Sequence, residues 1–272
     1  MPELPEVETV RQMLEPAMLG SRFRRVIINR PNLRIPFPPQ FIERLRGKTV
    51  TAVSRRGKYL VIELSSGETL VMHLGMSGWF HVAGIGDRSR EADPHDHVVF
   101  MMSSGQSVLF NDPRRFGFMD LAGRGQLAEY PALRKMGPEP LSKGFDGVAL
   151  ARACQGKRVS LKVVLLDQRT VAGLGNIYAS EALHHARISP LRKASSIATA
   201  SGAPKADAVQ LAKSIKAVLT AAIRRRESPY RSARFRVYER DGEDCLRPGC
   251  GGTIKRLWQA GRSTFYCPAC QR

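Results

Sequence analysis

Apolar residues first recur at helical spacing in residues 5–14, where Val7, Val10 and Leu14 share one face. Pro5 suits a first helical turn, Glu6 and Glu8 complement the positive end of a helix, and Pro16 is expected to stop it. The residues before Pro5 therefore form a short lead-in close to a helix N-terminus. The pattern then shortens to that of strands, with residues 23–29 and 50–54 as the first two. Two hairpin-like units follow: 59–64 turns at Ser65-Ser66-Gly67 into 69–73, and 98–102 turns at Ser103-Ser104-Gly105 into 107–110. Apolar runs on both sides of a Ser/Gly turn predict antiparallel strands packed between layers, so this half reads as a β-sandwich. The Gly-, Asp- and Arg-rich segment 84–93 reads as a surface loop.

Near Met136-Gly137-Pro138-Glu139-Pro140 the strand pattern stops, which predicts a domain boundary. Short helices are expected at 148–154, 161–166 and 177–186, and a long one at 206–224 with Val209, Ile215, Val218, Leu219, Ala222 and Ile223 as its apolar positions. Between the second and third lies a tight glycine turn ending Gly173-Leu174-Gly175-Asn176. There the Asn176 amide and helix-end N–H groups could hold phosphate. The turn is too short for a dinucleotide fingerprint. From Arg224 the chain is Arg-rich, interleaved with Tyr230, Phe235 and Tyr238, and reads either as a solvated linker or as a phosphate-facing surface. The domains expected are 1–134, 135–228 and 229–272.

Composition narrows the class. A chain of 272 residues, 43% of them hydrophobic, can bury more than one core, and it has no apolar run long enough to span a bilayer. The start MPELPEVETV lacks the pattern of a secretion signal, so a cytoplasmic location is expected. Lys and Arg outnumber Asp and Glu by 43 to 24, a formal charge of +19. That excess favours a polyanionic partner, because phosphate neutralisation releases counterions. Nucleic acid is preferred to a membrane surface, since no basic amphipathic helix with aromatic anchors is present. A merely self-solubilising charge is the plainer alternative.

Four of the five cysteines cluster as Cys245-x4-Cys250-x16-Cys267-x2-Cys270. Two short-spaced pairs, separated by an alternating hairpin that turns at Gln259-Ala260-Gly261-Arg262, supply four thiolates to one structural Zn(2+). Such a small module has little core, so the metal is expected to provide its folding free energy. Cys154 reads as a helix core residue. His95-Asp96-His97 is a weaker metal pattern.

Several segments, in order along the chain, resemble the formamidopyrimidine-DNA glycosylase family. They are PELPEVET (2–9), RRGKYL (55–60), HLGMSG (73–78), HDHV (95–98), NDPRRFG (111–117), GPEPL (137–141), GLGNIYASEAL (173–183) and GRSTFYCPACQR (261–272). The resemblance implies an α+β multidomain fold: an N-terminal antiparallel β-sandwich with flanking helices, a helix–two-turn–helix domain and a C-terminal zinc β-hairpin. It implies a bifunctional glycosylase/lyase that acts on damaged double-stranded DNA as a monomer and flips oxidised purines out of the duplex.

The resemblance also implies roles. Pro2, freed by removal of Met1, would be the Schiff-base nucleophile, since a secondary amine can attack where an amide nitrogen cannot. Glu3 would be the proton donor that opens the sugar ring, Lys58 the donor for β-elimination and Arg262 the donor for δ-elimination. Met76, Arg114 and Phe116 would fill the void left by the flipped base, although by pattern alone Met76 and Phe116 read as core. His73, Lys162 and Asn176 would contact DNA. Residues 226–230 are shorter than the Gly/Thr-containing loop that usually closes over the oxidised base in this family. Two other readings compete: an endonuclease VIII-like enzyme for oxidised pyrimidines, disfavoured by HLGMSG and DPRRFG, and a catalytically silent zinc DNA-binding protein, disfavoured by Pro2, Glu3 and Lys58 together.

Overall fold

A computed structural model describes residues 2–84, 93–225 and 235–272. The chain divides into two compact units: Pro2 with Glu6–Arg134, and Glu3–Pro5 with Lys135–Arg272. Helix α1 (Leu4–Met18) begins in one and continues in the other. Pro16 does not end it. The helix runs on for two residues, because a proline in the last turn forfeits one hydrogen bond while Ala17 and Met18 bury completely in the core.

The first unit holds two four-stranded antiparallel sheets. In chain order its elements are β1 (Phe23–Ile28), α2 (Phe41–Leu45), β2 (Val50–Arg56), β3 (Tyr59–Leu64), β4 (Thr69–His73), β5 (Trp79–Ala83), β6 (Asp96–Met102), β7 (Ser107–Asn111) and β8 (Phe118–Ala122). One sheet runs β2-β3-β4-β8 and the other β1-β6-β7-β5. Each predicted hairpin is thus the centre of one sheet. Leu60, Val61, Ile62, Leu70, Val71 and Met72 are all buried, as continuous apolar runs require. Val10, Leu14, Phe23, Phe80, Phe100 and Phe110 join both sheets and α1 in one core. The two strands that the pattern missed, β5 and β8, are sheet edges of five residues carrying His81 and Asp120, so no apolar run announces them. Of the predicted surface loop, residues 85–92 lie outside the described residues.

The second unit is helical: α3 (Gly147–Cys154), α4 (Leu161–Leu166), α5 (Asn176–Ala186) and α6 (Ala206–Arg225), followed by the hairpin β9 (Lys255–Gln259) and β10 (Arg262–Tyr266). Asp146 caps α3, its carboxylate accepting from Ala149 N at 2.9 Å. Helix α5 is buried almost all round and packs against α4, α6 and β10, which makes it the spine of the unit. Cys154 is a buried core residue, its thiol pushed up to about 11 by burial. Ala260 and Gly261, both at positive φ, make the two-residue turn of the zinc hairpin.

The described part of the Arg- and aromatic-rich segment packs against the helical unit. Phe235 stacks edge-on with Tyr238, and Tyr238 with Phe265. The Glu181 carboxylate of α5 accepts from the backbone N–H groups of Arg236, Val237 and Tyr238. Arg240 donates to Arg236 O, Asp244 O and Glu243. From Phe235 onward, therefore, the aromatics pack and Arg240 braces the chain. Residues 226–234, including the shortened stretch 226–230, lie outside the described residues.

Candidate active site and nucleic-acid surface

Pro2 is buried, and Glu3 beside it is 3% exposed. The Glu3 carboxylate sits at the N-terminus of α5 and accepts from Gly175 N (2.8 Å), Ile177 N (2.9 Å) and Tyr178 N (3.2 Å). A negative group placed on the unpaired N–H groups of a helix start is favoured by hydrogen bonding and by the helix dipole together. Leu4 N donates to Gly173 O at 3.1 Å. The glycines serve this docking: a Cβ on Gly175 would stand 2.3 Å from Glu3 Cδ. The helix-end N–H groups expected to hold phosphate are thus occupied by the protein's own carboxylate.

Asn176 and Lys162 lie beside this junction. Lys162 is fully buried and donates all three of its protons, to Asn176 Oδ1 (2.6 Å), Ser263 O (2.7 Å) and Thr264 Oγ1 (2.7 Å). Asn176 Nδ2 donates to the same Ser263 carbonyl at 2.9 Å, and its amide also hydrogen-bonds the Tyr238 phenol. Burial pushes the Lys162 ammonium down to about 8, with Arg262 adding to the effect and Glu3 opposing it. The Lys162 ammonium, expected to contact DNA, is turned onto protein acceptors in this structure. It ties α4 and α5 to the hairpin through three acceptors, of which Thr264 is wholly buried. Glu3, Lys162, Asn176 and Tyr238 form one network, with Arg262 within its electrostatic reach.

In the first unit, Gly57 (φ 57°) and Lys58 form the tight turn between β2 and β3. Lys58 is only 6% exposed, unusual for a turn tip. Its neighbour Arg55 donates to Glu8 of α1 at 3.1 Å and to Gly57 O at 2.9 Å, which fixes the turn. His73 packs against the rings of Tyr59 and Phe118, which also touch each other. Its Nδ1 accepts from Gly75 N at 3.0 Å, so the neutral ring carries its proton on Nε2. Burial, helped by Lys58 and Arg34, pushes His73 down to about 4.

Met76 and Phe116, which pattern alone would place in the core, are each 41% exposed, and Arg114 stacks over the Phe116 ring at 4.8 Å. The two loops that carry them are welded underneath. A Cβ on Gly75 (φ 65°) would lie 2.2 Å from the Phe116 carbonyl carbon. Asp112, 0% exposed, accepts from Ser77 Oγ and from Gly117 N (2.7 Å), and Ser77 Oγ in turn accepts from Arg114 N (3.2 Å). His97 Nε2 donates to Asp112 O at 2.9 Å, so this motif is a brace within the fold.

The four cysteines bring their sulfurs within 4.8 Å of one another, with Cys245–Cys270 at 3.9 Å and Cys250–Cys267 at 3.6 Å. Thiolates about 2.3 Å from a tetrahedral zinc stand ~3.8 Å apart, so the residues fit one structural ion. His184 of α5 reaches the Cys245 sulfur with Nε2 at 3.3 Å, linking helix to metal module.

Three family models match the chain: the formamidopyrimidine-DNA glycosylase N-terminal domain over residues 1–119, the formamidopyrimidine-DNA glycosylase H2TH domain over 136–233, and the zinc finger found in FPG and IleRS over 242–272. A curated formamidopyrimidine-DNA glycosylase of Rhodopseudomonas palustris (strain HaA2) is 54% identical, with all of both chains covered. The chain belongs to the formamidopyrimidine-DNA glycosylase family. Its architecture is the α+β fold of that family: antiparallel sheets, a helical H2TH domain and a zinc-binding hairpin.

Solved members of the family are similar throughout. A MutM protein in complex with DNA containing carbocyclic 8-oxo-G is 34% identical with a TM-score of 0.86, both chains fully covered. The Lactococcus lactis glycosylase, non-covalently bound to DNA with an AP site, is 35% identical with a TM-score of 0.85, 99% of each chain covered. The alignment with the R. palustris glycosylase spans 292 positions against the 272 residues here, so that relative carries residues this member lacks. Within this glycosylase-family chain, Asp112, Arg34, Glu181 and His184 were not singled out from the sequence, and Tyr238 was noted only as an interleaved aromatic. Asp112 lies inside NDPRRFG and Glu181 inside GLGNIYASEAL, and those motifs were their available signals. Arg34, His184 and the packing of Tyr238 are revealed only by contacts distant in sequence.

Proposed function

We propose that this chain excises oxidised purines, 8-oxoguanine and formamidopyrimidines, from damaged double-stranded DNA and then cleaves the strand as an AP lyase. One observation carries the reading: a buried Pro2 is followed by a carboxylate held by three backbone donors, so the amine and the carboxylate that the chemistry needs are fixed side by side. With Met1 removed, the Pro2 nitrogen attacks C1′. The C1′–base bond breaks with its electron pair leaving on the base, which takes a proton from water; the Glu3 carboxylate removes the surplus proton of the attacking Pro2 nitrogen, and the C1′–N bond becomes an iminium when the C1′–O4′ bond opens and O4′ takes that proton from Glu3. The iminium acidifies C2′; loss of that proton expels the 3′-phosphate, assisted by Lys58, and a second elimination expels the 5′-phosphate, assisted by Arg262. Water then releases Pro2.

Met76, Phe116 and the Arg114 guanidinium stacked on it suit the space left by a flipped nucleotide, and the neutral His73, protonated on Nε2, suits a backbone phosphate. Lys162 and Asn176 act on DNA through the hairpin they hold. The division into 1–134, 135–228 and 229–272, a monomeric state and a cytoplasmic, nucleoid-associated location belong to the same proposal. Borohydride added to enzyme lacking Met1 and an 8-oxoguanine duplex should trap a covalent adduct, with Pro2→Gly trapping far less. Absence of an adduct with the unmodified enzyme on every oxidised-purine duplex would refute the lyase. A stronger yield on thymine glycol would move the substrate to oxidised pyrimidines.

A further inference from the structure

The zinc hairpin carries an aromatic that none of this chemistry uses. Trp258 is 67% exposed, the most exposed of the large hydrophobic side chains among the described residues. In the β9–β10 register it stands directly opposite Ser263, while Arg256 stands opposite Phe265, so these four side chains share one face of the hairpin. The Arg256 guanidinium lies over the Trp258 ring at 5.4 Å and the Phe265 ring at 5.7 Å, and its Nε donates to Ser263 Oγ at 3.2 Å. Phe265 is buried, so the stack rests on the core of the zinc module and ends outward in the indole. The backbone behind it is rigid, for the Ser263 carbonyl accepts from both Lys162 and Asn176. The exposed charges of the two strands, Lys255, Arg256 and Arg262, are all positive, with Arg256 on this face and Lys255 and Arg262 on the other.

We propose that Trp258, with Arg256 stacked on it, is a second DNA contact of the hairpin: the indole lies against a base or deoxyribose face, and the Arg256 guanidinium pairs with the adjoining phosphate. The inference rests on the DNA-binding reading above. An exposed indole alone is unremarkable. An exposed indole under a cation, on a pre-organised hairpin whose strand charges are all positive, matches the aromatic-plus-arginine platform by which proteins grip nucleotides. An anionic strand is the occupant that satisfies both halves, whereas a hydrophobic protein face would leave Arg256 and its neighbours desolvated without counter-charge.

The chain has two tryptophans, so Trp79→Phe leaves Trp258 as sole reporter. That variant, zinc-loaded, is titrated with a duplex bearing a tetrahydrofuran abasic-site analogue, following indole emission and the anisotropy of a labelled strand together. The expected result is a change in emission that saturates with the anisotropy. In the otherwise natural chain, Trp258→Ala raises Kd about ten-fold at fixed salt, Trp258→Phe restores most of the affinity, and Arg256→Ala lowers the salt slope by roughly one phosphate contact. One bound zinc per chain in each variant shows that the hairpin is intact. If anisotropy reports binding while emission stays constant, or if Trp258→Ala binds as tightly as the parent, the Trp258 contact is refuted and DNA binding stands. If no variant, nor the parent, binds the duplex, the underlying reading fails instead.

Discussion

Two regions of this protein reverse the usual distribution of polarity, and they do so in opposite ways. The loops around Met76 and Phe116 set two apolar side chains in solvent above a wholly buried carboxylate, Asp112. The α4–α5–hairpin junction buries a lysine, Lys162, and sets a tryptophan outside. Asp112 organises loops by collecting donors, whereas Lys162 organises them by supplying donors to three acceptors. In both, the buried charge is held by the protein's own groups while large hydrophobic side chains stand exposed.

The largest break in this comparison comes from the metal. Removing zinc by chelation, or changing Cys267 to Ser, should unfold the hairpin and with it the acceptors of Lys162, abolishing duplex binding while the β unit keeps its fold; zinc content and amide spectra would show this. Next, Lys162→Met takes the donor from Asn176 Oδ1 and Thr264 Oγ1, while the Ser263 carbonyl keeps Asn176 Nδ2, and should cost about 3 kcal/mol of stability in denaturant unfolding. A surface DNA lysine would cost almost nothing. Asp112→Ala strands the Ser77 hydroxyl and the Gly117 N–H, an expected loss of about 2 kcal/mol, with Met76 and Phe116 losing their fixed positions.

Acid and base separate the two regions further. His73 titrates at about 4 when folded and near 6.5 when unfolded, so the unfolded chain binds more protons between these values. Stability is therefore lost as pH falls from 6.5 to 4, on the order of 2 kcal/mol, and His73→Asn should flatten that limb of a stability–pH curve. Lys162, at about 8 folded against 10.5 unfolded, gives the second unit a different window, with stability rising as pH climbs from 8 to 10.5. The smallest effect on stability belongs to Met76→Ala, within about 0.5 kcal/mol because the side chain is exposed; its cost should fall on affinity for lesion-bearing duplex.

Much of this was legible beforehand. Each central hairpin was visible because strands covered on both faces are continuously apolar, and the zinc module because its ligands are close in sequence. Helices α3 to α6 followed from their spacing. The edge strands β5 and β8 were not visible, since five residues with one polar interruption carry too little pattern. Nor did pattern show that α1 would pass through Pro16, because core burial at Ala17 and Met18 outweighs a lost terminal hydrogen bond.

The candidate site divides along the same line. Motif resemblance nominated Pro2, Glu3, Lys58, His73, Met76, Arg114, Phe116, Lys162, Asn176 and Arg262, and the spacing of Cys245, Cys250, Cys267 and Cys270 announced a metal. Those are properties of residue type and order, and one chain suffices to read them. Which nominees face solvent and which are sealed inside depends on partners 14 to 175 positions away, as Lys162 with Asn176 and Glu3 with Tyr178 show. A buried hydrogen bond is decided by what packs against it, so only the tertiary structure could show the Lys162 ammonium turned inward and Trp258 left outside.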